Sequence, residues 1–309
     1  MIRKYGGPEV LELAEVPAPL PKEDEVVIQV HASSVNPVDR LVRDGGAKDF
    51  VKVTFPVILG CDLAGVIVDV GAAVKQFAVG DEVMAMMPHD WGAQAERVAL
   101  AENLVVKKPA RLSMVEAAAL GAVSLTALAG VSKRGQVKAG QRVLINGGSS
   151  SVGMAAIQIA KTLSADVTAV CGLASFDLVK GLGADRLIDY KTTDFTTQDD
   201  KYDVIFDCVG SAPYAKCKRL LEGSRIHVTT QPTLGTFVRQ FLNPVFGVNV
   251  FGLITKGNAE DLTYIKSLVE GGKLKVIIDR VFLLAEVAEA HEYSKAGRAK
   301  GKIVLQFPH

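Results

Sequence analysis

Val143-Leu144-Ile145-Asn146-Gly147-Gly148-Ser149-Ser150-Ser151-Val152-Gly153 runs from an apolar, β-branched segment through a glycine turn into a helical pattern. A dinucleotide diphosphate needs bare backbone N–H groups, the positive end of a helix and no side chains in its way. Gly147 and Gly148 permit the turn, and Gly153 lets the helix lie close to the sheet. Ser150 stands where the usual spacing has its middle glycine. Serine is compact, and its hydroxyl can donate to phosphate. Ser149, Ser151 and Val152 complete the expected cradle. Glycine-rich turns also occur in ordinary flexible loops. Placement between a strand and a helix, with a second strand ending at Cys171, favours a bound cofactor.

Outward from this turn, residues 142–146, 166–171, 186–190, 202–208 and 225–230 form short apolar runs separated by helical stretches. Val152, Ala155, Ala156, Ile159 and Leu163 share one helical face. Leu178, Val179 and Leu182 share another, ahead of Gly183 as a left-handed stop. The alternation predicts a doubly wound parallel sheet with helices on both faces, an α/β domain. The second strand ends Val170-Cys171-Gly172-Leu173-Ala174-Ser175, without the carboxylate that holds the ribose hydroxyls of NAD. Its absence removes repulsion against a 2′-phosphate and favours NADP(H) over NAD(H), although the loop carries no arginine.

Upstream the pattern differs. Residues 26–30, 64–70 and 82–87 are β-branched runs punctuated by Gly60, Gly65, Gly71 and Gly80-Asp81, which predicts a mostly β, barrel-type unit. Ser113 with Glu116 forms a capping box where the period changes. In the tail, Asn258 caps a helix reaching Val269, stopped by Gly271-Gly272. A strand at 276–281, a helix at 286–293 and a strand at 303–306 follow. The pattern leaves open whether this tail extends the parallel sheet or returns to the first domain.

At 309 residues the chain exceeds what one core usually organises, so two domains are expected. A net charge of +1 gives no electrostatic footprint for nucleic acid. Cys61, Cys171, Cys208 and Cys217 are scattered without a C-x-x-C pair, and the opening MIRKYGGPEVLEL lacks a signal-peptide core. Free thiols in a reducing, cytoplasmic compartment are expected. The most apolar stretch, 117–131, is interrupted by Gly121, Ser124, Thr126 and Gly130 and falls short of the about 20 residues a bilayer requires. It reads as a buried helix, with no membrane partner.

Further stretches are Tyr5-Gly6-Gly7-Pro8-Glu9-Val10-Leu11, Asn36-Pro37-Val38-Asp39 and Gly60-Cys61-Asp62-Leu63-Ala64-Gly65-Val66. Val79-Gly80-Asp81-Glu82-Val83, Leu182-Gly183-Ala184-Asp185 and Gly301-Lys302-Ile303-Val304 follow. In this order they are similar to the medium-chain dehydrogenase/reductase superfamily, and within it to the zinc-free quinone oxidoreductase-like branch. The resemblance implies a GroES-like catalytic domain from residues 1–112 and 252–309 around a Rossmann domain at 113–251. It also implies a cleft between them where nicotinamide meets substrate, and a homodimer through the sheet edge at 248–251.

The same resemblance argues against metal. Zinc-dependent relatives have Gly-His-Glu where this chain has Gly60-Cys61-Asp62, and a cysteine where it has Asn36. Zinc needs three or four converging ligands. Cys61 and Asp62 read instead as a buried thiol and a hydrogen-bonding carboxylate. His31, His89, His227, His291 and His309 show no metal spacing, and His31 and His227 lie in strands. Trp91 is expected against the loop at 86–92.

By resemblance, Asn36 and Asp39 are the catalytic candidates, Asn36 touching cofactor or substrate carbonyl and Asp39 fixing its geometry. An Asx turn ahead of a helix is the alternative. Thr126, with Ser124 nearby, falls on the helix beside the cofactor's phosphate and ribose, where bonding to helix carbonyls is the alternative. Tyr190 resembles the residue against the 2′-phosphate, and Ser175 stands where relatives carry lysine or asparagine. Cys171, Cys208, Val209, Thr229 (with Thr230), Phe251 and Leu253 occupy strand ends expected to line the cofactor. Cys208 as an inert thiol is the alternative. The implied reaction is hydride transfer from the nicotinamide to a quinone or to the β-carbon of an α,β-unsaturated carbonyl. An enoyl-thioester reductase and a non-catalytic NADPH-binding sensor or structural protein remain alternatives. Acceptor choice is expected to depend on loops 43–54 and 88–92.

Overall fold

The computed structural model describes every residue except 47, 49–51, 88–90, 244–246, 248 and 309. His89, His309, Val248 at the start of the expected dimer edge, and parts of loops 43–54 and 88–92 therefore lie outside the described residues. The chain divides into two compact units. Unit 1 comprises Met1–Ala122, Lys256–Gly271 and Ile278–His309, and unit 2 comprises Val123–Thr255 and Gly272–Ile277.

Unit 1 is a mostly antiparallel sheet. Among the described residues its strands are β1 (Glu25–Val35), β2 (Asp62–Val70), β3 (Glu82–Met86), β4 (Arg97–Ala101), β5 (Val105–Lys107), β12 (Ile278–Leu283) and β13 (Lys302–Gln306). β1 is the hub and pairs antiparallel with β2, β4 and β13. Register shifts at Val27/Ile28 and Val30/Ala32 bend it, as bulges do. That bend lets one strand serve three neighbours. Val26, Ile28, Val30, Ile67, Val83, Val98, Phe282 and Leu305 bury together as its core. Because β13 pairs with β1 and β12 with β13, the tail returns to unit 1. α1 (Pro37–Asp44) follows β1, and α2 (Met114–Ala118) starts at the Ser113–Glu116 capping box. Trp91 packs on a small core of Ile2, Val42, Val57 and Leu59.

Unit 2 contains, among the described residues, six parallel strands: β6 (Arg142–Asn146), β7 (Asp166–Cys171), β8 (Arg186–Asp189), β9 (Tyr202–Asp207), β10 (Leu221–Thr229) and β11 (Asn249–Gly252). Their order is β11-β10-β9-β6-β7-β8. Counted from β6 this is the doubly wound order, which reverses direction between β6 and β9 and so creates a switch point there. Val143, Leu144, Ile145, Val167, Val204, Ile205 and Phe206 are fully buried, as a sheet covered on both faces requires. β10 starts earlier than its apolar run. Arg225 adopts φ 51°, and the pairing with β9 slips between Leu221 and Ile226.

The apolar stretch 117–131 is broken into α2, α3 (Gly121–Leu128) and a wide turn, Ala129–Arg134, rather than one buried helix. Gly130 is required in that turn, since a Cβ there would collide with the Phe206 ring. Among the described residues no helix is long and apolar enough to cross a membrane. The expected strand at 276–281 begins at Ile278 because Gly272–Ile277 belongs to unit 2. There the buried Gln158 carboxamide accepts the Lys275 N–H (2.8 Å) and donates to the Lys275 carbonyl (3.1 Å).

Candidate functional site

In unit 2 the turn at the end of β6 is shaped by contact. Gly147 has φ +82°, and the N–H groups of Gly147 and Gly148 both donate to the Val170 carbonyl, at 3.0 and 2.8 Å. A Cβ on Gly153 would lie 2.9 Å from the Gly147 carbonyl carbon, and one on Gly148 would lie 2.9 Å from the Ala169 methyl. Ser150 is the N-cap of α4 (Ser151–Thr162): its Oγ accepts the Gly153 N–H at 3.1 Å, which leaves its own proton to give. Ser149 lies in the turn, and Ser151 and Val152 open the helix. Their N–H groups are the orphan donors of a helix start, and the helix dipole favours an anion there. The cradle suits a diphosphate.

The other strand-end residues fall on the same edge of the sheet. Cys171 ends β7, and burial, aided by the Asp189 charge, pushes its thiol up to about 11. Cys208, just after β9, is pushed well above the usual thiol range by burial and then by Asp207. Neither can serve as a thiolate near neutral pH. Ser175 is buried, and Tyr190 is 61% exposed, its ring 3.5 Å from where a Gly172 Cβ would stand. Val209 lies against Gly147. Thr229 is buried at the end of β10 and accepts the Gln231 N–H through Oγ1 (3.2 Å), while its carbonyl accepts the Leu253 N–H (2.9 Å). The Arg134 guanidinium lies 5.3 Å from the Phe251 ring centre. Thr126 donates through Oγ1 to Thr255 (3.1 Å) instead of to its own helix.

Sequence reasoning missed a pair that braces this edge. The Asp207 carboxylate, 1% exposed, accepts the Gly210 and Ala212 N–H groups, each at 2.9 Å, and the Asn146 side-chain amide, also at 2.9 Å. Asn146 donates as well to Ser211 (2.8 Å). The glycine turn and the loop after β9 are thus tied by one carboxylate–amide bridge. An aspartate ending a central parallel strand, three residues before Gly210, was the available signal.

Unit 1 holds a buried polar cluster. Asn36 is the N-cap of α1, and Asp39 accepts the Asn36 N–H (2.7 Å) and the Gly60 N–H (3.1 Å). Burial raises the Asp39 carboxyl to about 7, against the opposing pull of the Asn36 N–H and Lys302. The Asn36 amide nitrogen donates to Cys61 Sγ (2.9 Å), Asp62 Oδ2 (2.9 Å) and Ser34 Oγ (3.2 Å). Asp62 also accepts from Ser34 (2.5 Å) and from the Ala122 N–H (2.6 Å). Lys302, from β13, donates to Asn36 Oδ1 and to the Val35 carbonyl, with Asp62 Oδ2 at 3.7 Å. Further along α1, buried Arg43 donates to His291 Nδ1 (3.0 Å); burial and then Arg43 lower His291 to about 4.

Residues 22–110 match the alcohol dehydrogenase GroES-like domain, and residues 182–305 match the zinc-binding dehydrogenase family. Over 314 residues the chain is 35% identical to the chloroplast envelope quinone oxidoreductase homolog of Arabidopsis thaliana, covering 97% of this chain and 95% of that protein. The chain belongs to the quinone oxidoreductase-like branch of the medium-chain dehydrogenase/reductase superfamily. Another relative in this oxidoreductase family is the NADPH-dependent alkenal/one oxidoreductase of Arabidopsis thaliana, 34% identical over 97% of this chain and 77% of that one. The solved quinone oxidoreductase of Coxiella burnetii superposes with a TM-score of 0.88 at 31% identity, covering 99% and 97% of the two chains.

The zinc in the second family's description does not fit the donors present. Asn36 offers N–H groups, not lone pairs, toward Cys61 and Asp62, and the Lys302 ammonium occupies its carbonyl oxygen. Among the described residues no three or more His, Cys, Asp or Glu side chains converge as metal ligands.

Proposed function

We propose that this chain is an NADPH-dependent, zinc-independent reductase that delivers hydride to a quinone or to the β-carbon of an α,β-unsaturated carbonyl. The observation that carries the reading is the Gly147–Gly153 turn, whose glycines are forced by contact and whose helix presents free N–H groups at a switch point. Ser149, Ser150, Ser151 and Val152 hold the diphosphate in this reading, with Gly147 and Gly148 beneath it. Thr126, Cys208, Val209, Thr229, Phe251 and Leu253 line the nicotinamide half. Cys171, Ser175 and Tyr190 line the adenosine half, where the missing carboxylate after β7 favours the 2′-phosphate. When bound, the reduced cofactor supplies the hydride.

Asn36 and Asp39 enter the reading as positioning residues. The Asn36 amide is committed to its neighbours, and Asp39 fixes its backbone. A conjugated acceptor is already polarised, so orientation and hydrogen bonding suffice without a Lewis acid. Four buried thiols suit a reducing, cytoplasmic compartment. β11, the outer strand of its sheet, is the edge through which a homodimer would form.

The test pairs binding with turnover. The purified protein is titrated calorimetrically with NADPH and NADH, then assayed for NADPH consumption with benzoquinone and methyl vinyl ketone, after elemental analysis and light scattering. Tighter NADPH binding, consumption with either acceptor, no stoichiometric zinc and a dimer are expected. Faster oxidation of simple alcohols, or a preference for NADH, overturns the reading. Binding without turnover would make the chain a non-catalytic dinucleotide binder.

A further inference from the structure

Lysine is among the residues least often fully buried, because stripping water from an ammonium costs several kcal/mol unless partners replace it. Lys302 is nonetheless 3% exposed at the start of β13, beside Asp62, which is fully buried, and Asn36, which is 5% exposed. Its ammonium bonds the Asn36 carbonyl oxygen and the Val35 carbonyl and stands 3.7 Å from Asp62. These contacts have the logic of a metal shell. One central cation gathers a carboxylate, a side-chain carbonyl and a main-chain carbonyl from two strands and the turn after β1.

Fixing Asn36 Oδ1 on the ammonium also fixes which way the carboxamide faces. The amide nitrogen must then point at Cys61 Sγ and Asp62 Oδ2. Those are the lone pairs a metal ion would need. Asp39, the other buried carboxyl here, is turned to the N–H groups of Asn36 and Gly60 and is not the ammonium's hydrogen-bond partner.

We propose that the Lys302 ammonium is the resident cation of the Asn36–Cys61–Asp62 cluster, holding these side chains as a metal ion would and closing the cluster to one. The inference deepens the zinc-independence in the reading above. It stands on the cluster alone, so failure of NADPH turnover would leave it untouched.

Two measurements on the full chain test it. The first is a double-mutant cycle with Lys302→Met, Asp62→Asn and the pair together, read as thermal midpoints. Each single variant strands a buried charge and should lose about 10 °C, whereas the double variant, which removes both charges, should recover most of that loss. A double variant that loses the sum of both singles overturns the pairing. The second is cobalt(II) titration. Wild type should stay colourless, and Lys302→Met, with Asn36 free to turn, should develop a thiolate-to-cobalt absorption band from Cys61 that Asp62→Asn abolishes. If Lys302→Met does not fold, Lys302→Gln serves in its place. Cobalt uptake by wild type, or none by a folded Lys302 variant, overturns the substitution of lysine for metal.

Discussion

At the strand ends of unit 2, Gly147, Gly148 and Gly153 present bare backbone around a turn that carries no charged side chain. In unit 1, Asn36, Asp39, Asp62 and Lys302 turn their polar groups on one another below the surface. The first arrangement works by what is missing: any Cβ would strike the protein's own backbone or neighbouring side chains and push the turn out of shape. The second works by charge balance, and each group is useful only because the others are present. A site of the first kind should respond to side-chain volume and ignore pH. A cluster of the second kind should do the reverse.

The largest expected effect on binding is at Gly153. Gly153→Ala forces a methyl group into the Gly147–Gly148 backbone. Overpacking of this kind costs about 1–3 kcal/mol, and here it falls on the turn itself. NADPH affinity should drop by about 100-fold, the upper end of that range, as measured by calorimetry. Unchanged affinity would break the claim that backbone shape makes the site.

On stability rather than binding, an effect of pH is expected in unit 1. His291 is depressed from 6.5 to about 4, so the unfolded chain takes up the proton first. Its contribution is complete above pH 6.5 and is lost as pH falls toward 4, by about 3 kcal/mol at most. Asp39 is raised from 3.8 to about 7, so its contribution is complete below 3.8 and is lost as pH rises toward 7, by about 4 kcal/mol at most. The two oppose each other. His291→Gln should therefore remove the acid-side loss, and Asp39→Asn the loss on the neutral side. Thermal midpoints across this window check both; parallel curves for wild type and variants would sink the assignment.

The smallest effect should come from Ser150→Gly. Glycine at an N-cap costs only a few tenths of a kcal/mol against serine, so NADPH affinity should change by less than about threefold. A larger loss would show that the serine hydroxyl, and not the backbone, holds the diphosphate.

The same contrast explains what the sequence revealed. The strand–turn–helix geometry around Gly147 was legible because its determinants lie within 11 consecutive residues and follow from backbone geometry. The parallel sheet was legible because apolar runs and helices alternate locally. The Lys302 cluster was not, since Lys302 and Asn36 lie 266 residues apart and only the pairing of β13 with β1 brings them together. The Asn146–Asp207 bridge spans 61 residues and was hidden for the same reason. Even where the chain was read as helical, 117–131 proved to be two helices and a wide turn, and the close approach of Gly130 to the Phe206 ring in that turn comes from a strand about 75 residues away. Periodicity reports a face, not a partner.

The Gln158 clip on Lys275 bears on how this molecule can be divided. A fragment ending at Thr255 would keep all six parallel strands, yet leave a carboxamide only 6% exposed in the full chain without its main-chain complement. Unit 2 is therefore not a cassette that can be lifted out in one uninterrupted piece. Its last few residues arrive only after the chain has gone back through unit 1, so a cut that keeps unit 2 whole must carry part of unit 1 with it.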